Sequence, residues 1–437
     1  DGTVLAFTAG TVVLAALLFG SAPALRAARV NVNDALRDSN RAASAGVARH
    51  RFLRSSVVLQ NALTLVLLVG AGLTIRSLDR LLRVDPGFHA ENLTTFTVAL
   101  PRQRYPDPAQ KLAFFRALEE RLIAIPGVQS VGFALGAPFS GAAGSTSYKL
   151  PSIPKQPSEG DRHANQAFVY GDYFRTMGIP IVRGRAFTAA DYASGGHTII
   201  VDETLVRQSF GDRDPIGAQI EHGPSGSIIG VARSVKLTDL TESEHPLVYH
   251  DYGHTAYVGA LTAVVRSTLP SDAVIRASRA AVAELDPSLP LSSARALTER
   301  IAETYGSRQF ATRVLTIFAA LSLVLALLGV YAVMSYVVSM RTREIGIRLA
   351  LGAARAEVAR MVLRDGAQLA ALGLVLGGLA FLGLGRLLRA LLYGVGMFDP
   401  LALGVAIALL AAITLLASYL PARRAVRVDP LVSMRTE

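Results

Sequence analysis

Three histidines and an aspartate crowd one short stretch, "HPLVYHDYGH": His245, His250, Asp251 and His254. Imidazole and carboxylate groups are metal ligands, and residues four apart converge on one helix face. His250 and His254 have that spacing. Gly253 and the β-type pattern around it argue against a helix, so the ligands do not converge. The stretch reads as a solvated polar loop, and no metal is expected. Asp191, Asp202, Glu203, Asp212 and Asp214 could pair for acid–base work. Asp202 reads more simply as the N-cap of a helix 203–210, and Asp214-Pro215 as a turn.

Phosphate chemistry is missing from the sequence as well. There is no G-x-x-x-x-G-K-[ST] motif and no Gly-Lys pair. The glycine- and hydroxyl-rich stretch Gly136–Ser147 has no lysine to reach a phosphate. It reads as a mobile loop, as does Pro151–Gly160. No G-x-S-x-G occurs. These residues point away from an enzyme, and no cofactor is expected.

The elements that carry these residues are unusual in composition. Of 437 residues, 51% are hydrophobic and 18% charged, which points to membrane spans. Five uncharged runs are long enough to cross: Gly2–Leu25, Ser55–Ile75, Val314–Met340, Gly366–Gly385 and Pro400–Ala422. The chain has no cysteine and no tryptophan. Tyr336, Tyr393 and Tyr419 sit near run ends, where interfacial anchors belong. The chain opens "DGTVLAFTAG", without a basic n-region, and reads as part of a longer polypeptide.

The net charge of +11 does not point to nucleic acid. Residues 78–308 hold 23 Lys+Arg against 24 Asp+Glu, so that segment is near neutral. The excess is arginine beside the apolar runs. It lies in 26–54, 341–365 and the tail 423–437, which fall on one side of the membrane when the five runs are threaded. That side is expected to be cytoplasmic. Residues 78–308 and the link 386–399 then lie outside. Inside the runs Gln60, Asn61 and Thr64 form a polar cluster suited to interhelical hydrogen bonds. Gly373, Gly377, Gly378, Gly383 and Gly385 suggest a close-packing face.

Segment 78–308 reads as mixed α/β in two subdomains, one an insertion. A strand 92–100, a helix 107–127 and a strand 128–135 form one unit. A strand 257–266, a helix 271–285 and an extended 289–293 form a similar one, with short strands at 198–201 and 227–231 between them. "PALRAARVNVNDALR" (Pro23–Arg37) and "PARRAVRVDPLVSMR" (Pro421–Arg435) align without gaps after an apolar run. The end of one module therefore occurs twice.

One segment stands apart. "SMRTREIGIRLALGAAR" (Ser339–Arg355) follows the longest run with no turn signal at its start. Glu344 precedes Arg348 by four residues, the favoured order on a helix. Ile345 and Leu349 line one side, with Ile347 and Leu351 beside them. The periodicity suits an amphipathic helix, lying on lipid or docked on a protein.

The segment "MRTREIGIRLALGAARAEVARMVLRDG" (Met340–Gly366) resembles the signature of FtsX-like ABC permeases of the MacB type. "LVGAGLTIRSLDRLLRVDPGF" (Leu68–Phe88), "YFRTMGIPIVRGRAFTAAD" (Tyr173–Asp191), "VDETLVRQSFGDRDPIGAQI" (Val201–Ile220) and "IIGVARSV" (Ile228–Val235) are similar to the periplasmic core of that group. The resemblance covers 51–437, and 2–37 looks like the end of another copy.

The resemblance implies an α-helical multi-pass membrane protein with a large mixed α+β extracytoplasmic domain. It divides the chain into 1–25, the last span of a preceding repeat; 26–54, a basic cytoplasmic linker; 55–77, the first span of the complete repeat; 78–308, the periplasmic core; and 309–437, the permease domain. It implies a bacterial inner-membrane permease without its own ATPase site, coupling a cytosolic ABC ATPase subunit to movements of the periplasmic domain. The expected coupling residues are Arg341, Arg343, Glu344, Ile345, Ile347, Arg348 and Leu349. Other expected partners are a preceding four-span half or second permease, a periplasmic adaptor or outer-membrane protein, and membrane lipid. An FtsX-like regulator that activates a periplasmic protein without transport is the alternative.

Overall fold

The computed structural model describes residues 2–28, 39–141, 144–153, 160–193, 197–223, 225–253, 259–351, 354–388 and 392–426. Two helices come first, α1 (Gly2–Ala28) and α2 (Ser39–Leu82). A mixed region follows: β1 (Leu93–Ala99), α3 (Pro108–Ile123), β2 (Val128–Leu135), β3 (Gly144–Ser147), β4 (His163–Gly171), α4 (Tyr173–Met177) and β5 (Ile181–Gly184). It continues with α5 (Ala189–Ala193), β6 (Thr198–Asp202), α6 (Glu203–Ser209), β7 (Gln219–Glu221), β8 (Ser225–Ala232), β9 (Leu247–Asp251), β10 (Ala260–Ser267), α7 (Ser271–Leu285) and β11 (Leu291–Ala296). The chain then returns to helix: α8 (Leu297–Met340), α9 (Thr342–Ala350), α10 (Arg355–Leu388) and α11 (Pro400–Ala425).

Two compact units result. One holds Leu73–Leu315 with Arg389–Asp399; the other holds Asp1–Gly72, Thr316–Leu388 and Pro400–Glu437. Four helical stretches are long and apolar enough to cross a membrane: Arg51–Leu82, Leu297–Met340, Arg355–Gly385 and Pro400–Ala425. Each contains one expected run and extends it or matches it closely. In α1 the described apolar stretch is Leu5–Leu14. The repeated segments Pro23–Arg37 and Pro421–Arg435 lie largely outside the described residues.

The first unit is built on one eleven-stranded mixed sheet, in the order β11-β1-β10-β2-β4-β9-β6-β8-β5, with β3 on β4 and β7 on β8. The two expected subdomains are thus joined, because β2 pairs with β4 across the point of insertion. Alternation along β10 sets its two faces. Leu261, Ala263 and Val265 enter a core with Phe115, Leu118 and Leu122 of α3 and Val274 and Val282 of α7. Val264 points the other way, into a core with Leu81, Tyr173 and Met177. Each large apolar side chain so buried contributes about 1.5–3 kcal/mol. On the second face, a Cβ at Gly132 would stand 2.5 Å from the Cα of Tyr173, so only glycine lets α4 lie directly on β2.

Helix α3 starts after Asp107 with Pro108 in its first turn, but Asp107 makes no side-chain cap. Its inward stripe is Phe114, Phe115, Leu118 and Leu122, with Leu112 and Ile125 at the margin. Asp202 does cap α6, accepting from the Leu205 amide. Asp214 accepts from the Ile216 amide at 3.1 Å, as a turn requires. Stretch 136–147 is not a plain mobile loop, since its end is β3, registered against β4. Tyr393 is half-buried at the edge of the Leu81 core.

In the second unit the helices meet through small residues. A Cβ at Gly373 would come within 2.6 Å of the Asn61 Cβ, and one at Gly377 within 2.8 Å of the Ala62 carbonyl oxygen. Gly378 and Gly383 face open space among the described residues, so the close-packing face is narrower than the sequence suggests. Asn61 and Thr64 are fully buried. The Thr64 hydroxyl lies 2.8 Å from the Gln60 carbonyl and 3.3 Å from that of Ser322 on α8. This is the interhelical polar contact expected of the cluster.

Candidate functional site: the helix after the long span

Helix α8 is unbroken for 44 residues. It gives way to α9 at one residue, Arg341. The expected direct run-on is therefore interrupted by a single turn, yet the hydrogen bonding is not. The Arg341 amide reaches the carbonyls of Val337 and Val338 at 3.2 and 3.1 Å, and the Ile345 amide reaches the Arg341 carbonyl at 2.9 Å. The Thr342 hydroxyl bonds the Val338 and Ser339 carbonyls. These bonds use carbonyls that a helix end would leave to solvent.

Side chains then fix how α9 lies on its own unit. Ile345 is 3% exposed and packs with Val57, Val337, Val358 and Val362. Arg341 lies 3.2 Å from Asp365 of α10, and Arg54 of α2 approaches the same carboxylate at 3.4 Å. One carboxylate on α10 thus anchors both the turn before α9 and the base of α2.

The opposite face is open. Ile347 is 43% exposed and Leu351, one turn on, 82%. Glu344 and Arg348 lie beside them, joined at 2.6 Å. Arg348 also reaches the Met361 sulfur at 3.7 Å. The expected residues therefore divide. Ile345 and Arg341 hold the helix in place, while Glu344, Ile347 and Arg348 face outward. The side chains of Arg343 and Leu349 lie outside the described ones. Exposed apolar residues beside a charged pair, on a helix seated by its other face, suit a docking surface.

The other candidates separate. Asp191 is held by Arg185, whose guanidinium keeps the carboxyl well below its usual range, at 2.6 and 2.8 Å. The Arg185 and Thr188 contacts make it a structural clamp. Of the histidine stretch, His245 is exposed outside any strand, as expected. His250 and Asp251 lie in β9, fully buried in the middle of the sheet, not in a solvated loop. His254 lies outside the described residues. The partners of His250 are His197 and His222, which no sequence spacing connects to it. Among the described residues no group of three or more His, Asp or Glu side chains could hold a metal.

Residues 61–300 match the model of the MacB-like periplasmic core domain, and residues 316–430 that of the FtsX-like permease C-terminal domain. The chain belongs to the MacB-type permeases. Among relatives, it is 27% identical over 288 residues to the macrolide export ATP-binding/permease protein MacB of Bordetella avium, covering 61% of this chain and 42% of that protein. It is also 27% identical over 272 residues to the pyoverdine export ATP-binding/permease protein PvdT of Pseudomonas savastanoi pv. phaseolicola, covering 59% and 40%. The chain thus spans less than half the length of these relatives. Among solved structures, the periplasmic region of MacB from Actinobacillus actinomycetemcomitans aligns at a TM-score of 0.33 and 16% identity, covering 48% of this chain and 92% of that one. Both matched domains of this MacB-type chain are permease domains, and α9 falls within the second.

Proposed function

We propose that this chain is the permease part of an ABC transport system in the bacterial inner membrane. A partner ATPase in the cytosol docks on α9, and its cycle moves the periplasmic domain to expel a substrate. The carrying observation is the two-faced seating of α9. One face is fastened through Ile345 and the Arg341–Asp365 pair, and the other presents Ile347 and Leu351 beside the Glu344–Arg348 pair. A push on the open face is thereby delivered to the span helices and not absorbed by a loop.

The length of α8 supports the same reading. At about 1.5 Å per residue its 44 residues reach about 66 Å, against a hydrocarbon core of about 30 Å. A helix of that length serves as a stalk. The arginine-rich segments 26–54, 341–365 and 423–437 support a cytoplasmic side for α9 and the C-terminus. A preceding four-span half, ending at α1, completes the membrane part. The names of the relatives suggest an exported small molecule as substrate.

The cysteine-free chain allows a direct test. Ile347→Cys and Leu351→Cys each introduce a single thiol for crosslinking in native membranes. The expected adduct is a protein carrying a P-loop. Adducts to lipid alone at both positions would overturn the docking assignment.

A further inference from the structure

An open groove of about 350 Å³ runs between the span helices α2 and α10. The two helices run in the same direction and in step. Arg54 approaches Asp365 at 3.4 Å near one end, and further along a Cβ at Gly373 would stand 2.6 Å from that of Asn61. One turn on, a Cβ at Gly377 would stand 2.8 Å from the Ala62 carbonyl oxygen. These glycines bring the backbones together along one line, and longer side chains stand apart beside it.

Residue type along the groove changes in one direction on both helices. Ser55 and Gln368 line the end nearer α9. Beyond them Leu59 lines the α2 wall, and Leu372 and Leu376 line the α10 wall. These three leucines are 60%, 55% and 48% exposed, while Val58 and Leu369 are buried as the floor. Toward α9 the same spacing continues into charge. Arg51 precedes Ser55 by four residues and Arg364 precedes Gln368 by four, and both arginines are exposed. Arg54 lines the groove itself. Asp365 stands beside Arg54 but is shared with Arg341.

That order matches the order of groups in a membrane lipid. Guanidiniums at a membrane boundary suit a phosphate. The Gln368 carboxamide can donate to an ester carbonyl. Exposed leucines on a span face suit hydrocarbon. The levels also fall where a bilayer holds these groups. Arg51 and Arg54 directly precede the uncharged run 55–75, and Arg364 directly precedes the run 366–385 with Asp365 between. From Gln368 to Leu376 the α10 wall rises about 12 Å along the helix axis, the direction an acyl chain takes.

We propose that this groove binds one anionic phospholipid of the leaflet on the α9 side. Its phosphate lies among Arg51, Arg54 and Arg364, and one acyl chain follows Leu59, Leu372 and Leu376. A negative headgroup is preferred to a zwitterionic one, because three guanidiniums outnumber the Asp365 carboxylate, which Arg341 also uses. The bound lipid braces α2 against α10 at the level of Asp365. The site requires only that α2 and α10 span the membrane, so it stands or falls apart from docking at α9.

The chain has no tryptophan, so one introduced indole reports its own surroundings. Leu372→Trp places it in the groove. Leu325→Trp, at a 57% exposed position on α8, is the reference. Each full-length chain is reconstituted in phosphatidylcholine vesicles with brominated phosphatidylglycerol or brominated phosphatidylethanolamine, since bromine quenches an indole that it touches. At Leu372→Trp the anionic lipid should be favoured by about fivefold, the factor expected of one charge contact. At Leu325→Trp the two lipids should quench alike. Arg51→Gln together with Arg364→Gln should remove the preference at position 372 and leave position 325 unchanged. Equal quenching by both lipids at position 372, or a preference that survives loss of both arginines, would overturn the proposal. So would an indole at 372 that neither lipid quenches, because a protein segment then fills the groove. Leu59→Trp, on the opposite wall, repeats the measurement should Leu372→Trp fail to insert.

Discussion

Asp365 on α10 lies 3.2 Å from Arg341, the single residue that separates the long helix α8 from α9. Arg54 shares the same carboxylate at 3.4 Å. The carboxylate therefore ties the turn before α9 to α2 and α10. Arg341 is 42% exposed, so the pair is worth no more than about 1 kcal/mol in stability. Its role is positional.

Asp365→Asn should therefore leave the melting temperature of the purified chain within a few degrees of the original. It should reduce stimulation of the partner ATPase several-fold, because α9 loses its tether while keeping its docking face. Thermal scanning and ATPase assays on the same preparation read both effects. A large loss of stability without a change in stimulation would reverse the assignment.

Ile345 and Ile347 differ by two positions and should behave oppositely. Ile345→Ala removes a 3% exposed side chain from a packed cluster and should destabilise by about 2–4 kcal/mol. Ile347→Ala removes a side chain that is 43% exposed and should change stability by less than about 0.5 kcal/mol. Ile347→Ala, not Ile345→Ala, should weaken recovery of the ATPase with folded permease.

Gly373 and Gly378 test the packing of the spans. A Cβ at Gly373 meets the Asn61 Cβ at 2.6 Å, whereas one at Gly378 meets open space. Gly373→Val should cost about 1–3 kcal/mol through forced separation of α2 and α10. Gly378→Val should be tolerated, as detergent unfolding curves of the two variants would report.

The external domain should be acid-sensitive through His250. Its folded value of about 3 lies below the unfolded imidazole value of about 6.5. The stability this neutral ring contributes is fully present above about pH 6.5. It is lost as the pH falls toward the folded value, because the unfolded chain then takes up a proton that the folded one refuses. Tyrosine fluorescence, the natural probe in a chain without tryptophan, should show a falling urea midpoint between about pH 6.5 and 4.5. His250→Gln should flatten that slope.

Much of the fold was legible because its signals are local. Apolar runs mark the spans, and strands β1, β2, β6 and β8 follow from alternation near their observed ends. The extent of α8 and α2 was not legible, since their polar ends carry no caps or breakers that set them apart from the external domain. The candidate site was half legible. Spacing found the helix and the Glu344–Arg348 pair, but could not tell Ile345 from Ile347, because that depends on which neighbours α9 meets.

The sequence by itself determined that the chain is a membrane permease with a large external α/β domain and no P-loop. Run length, arginine placement and motif order are properties of contiguous residues. Only the tertiary structure decided which face of α9 is open, that Asp365 ties it down, and that His250 is buried. The contacts of His250 need residues 197, 222 and 250 to meet, and sheet topology alone brings them together. Each belongs to a different strand end, and a one-residue change in register would turn its side chain to the opposite face.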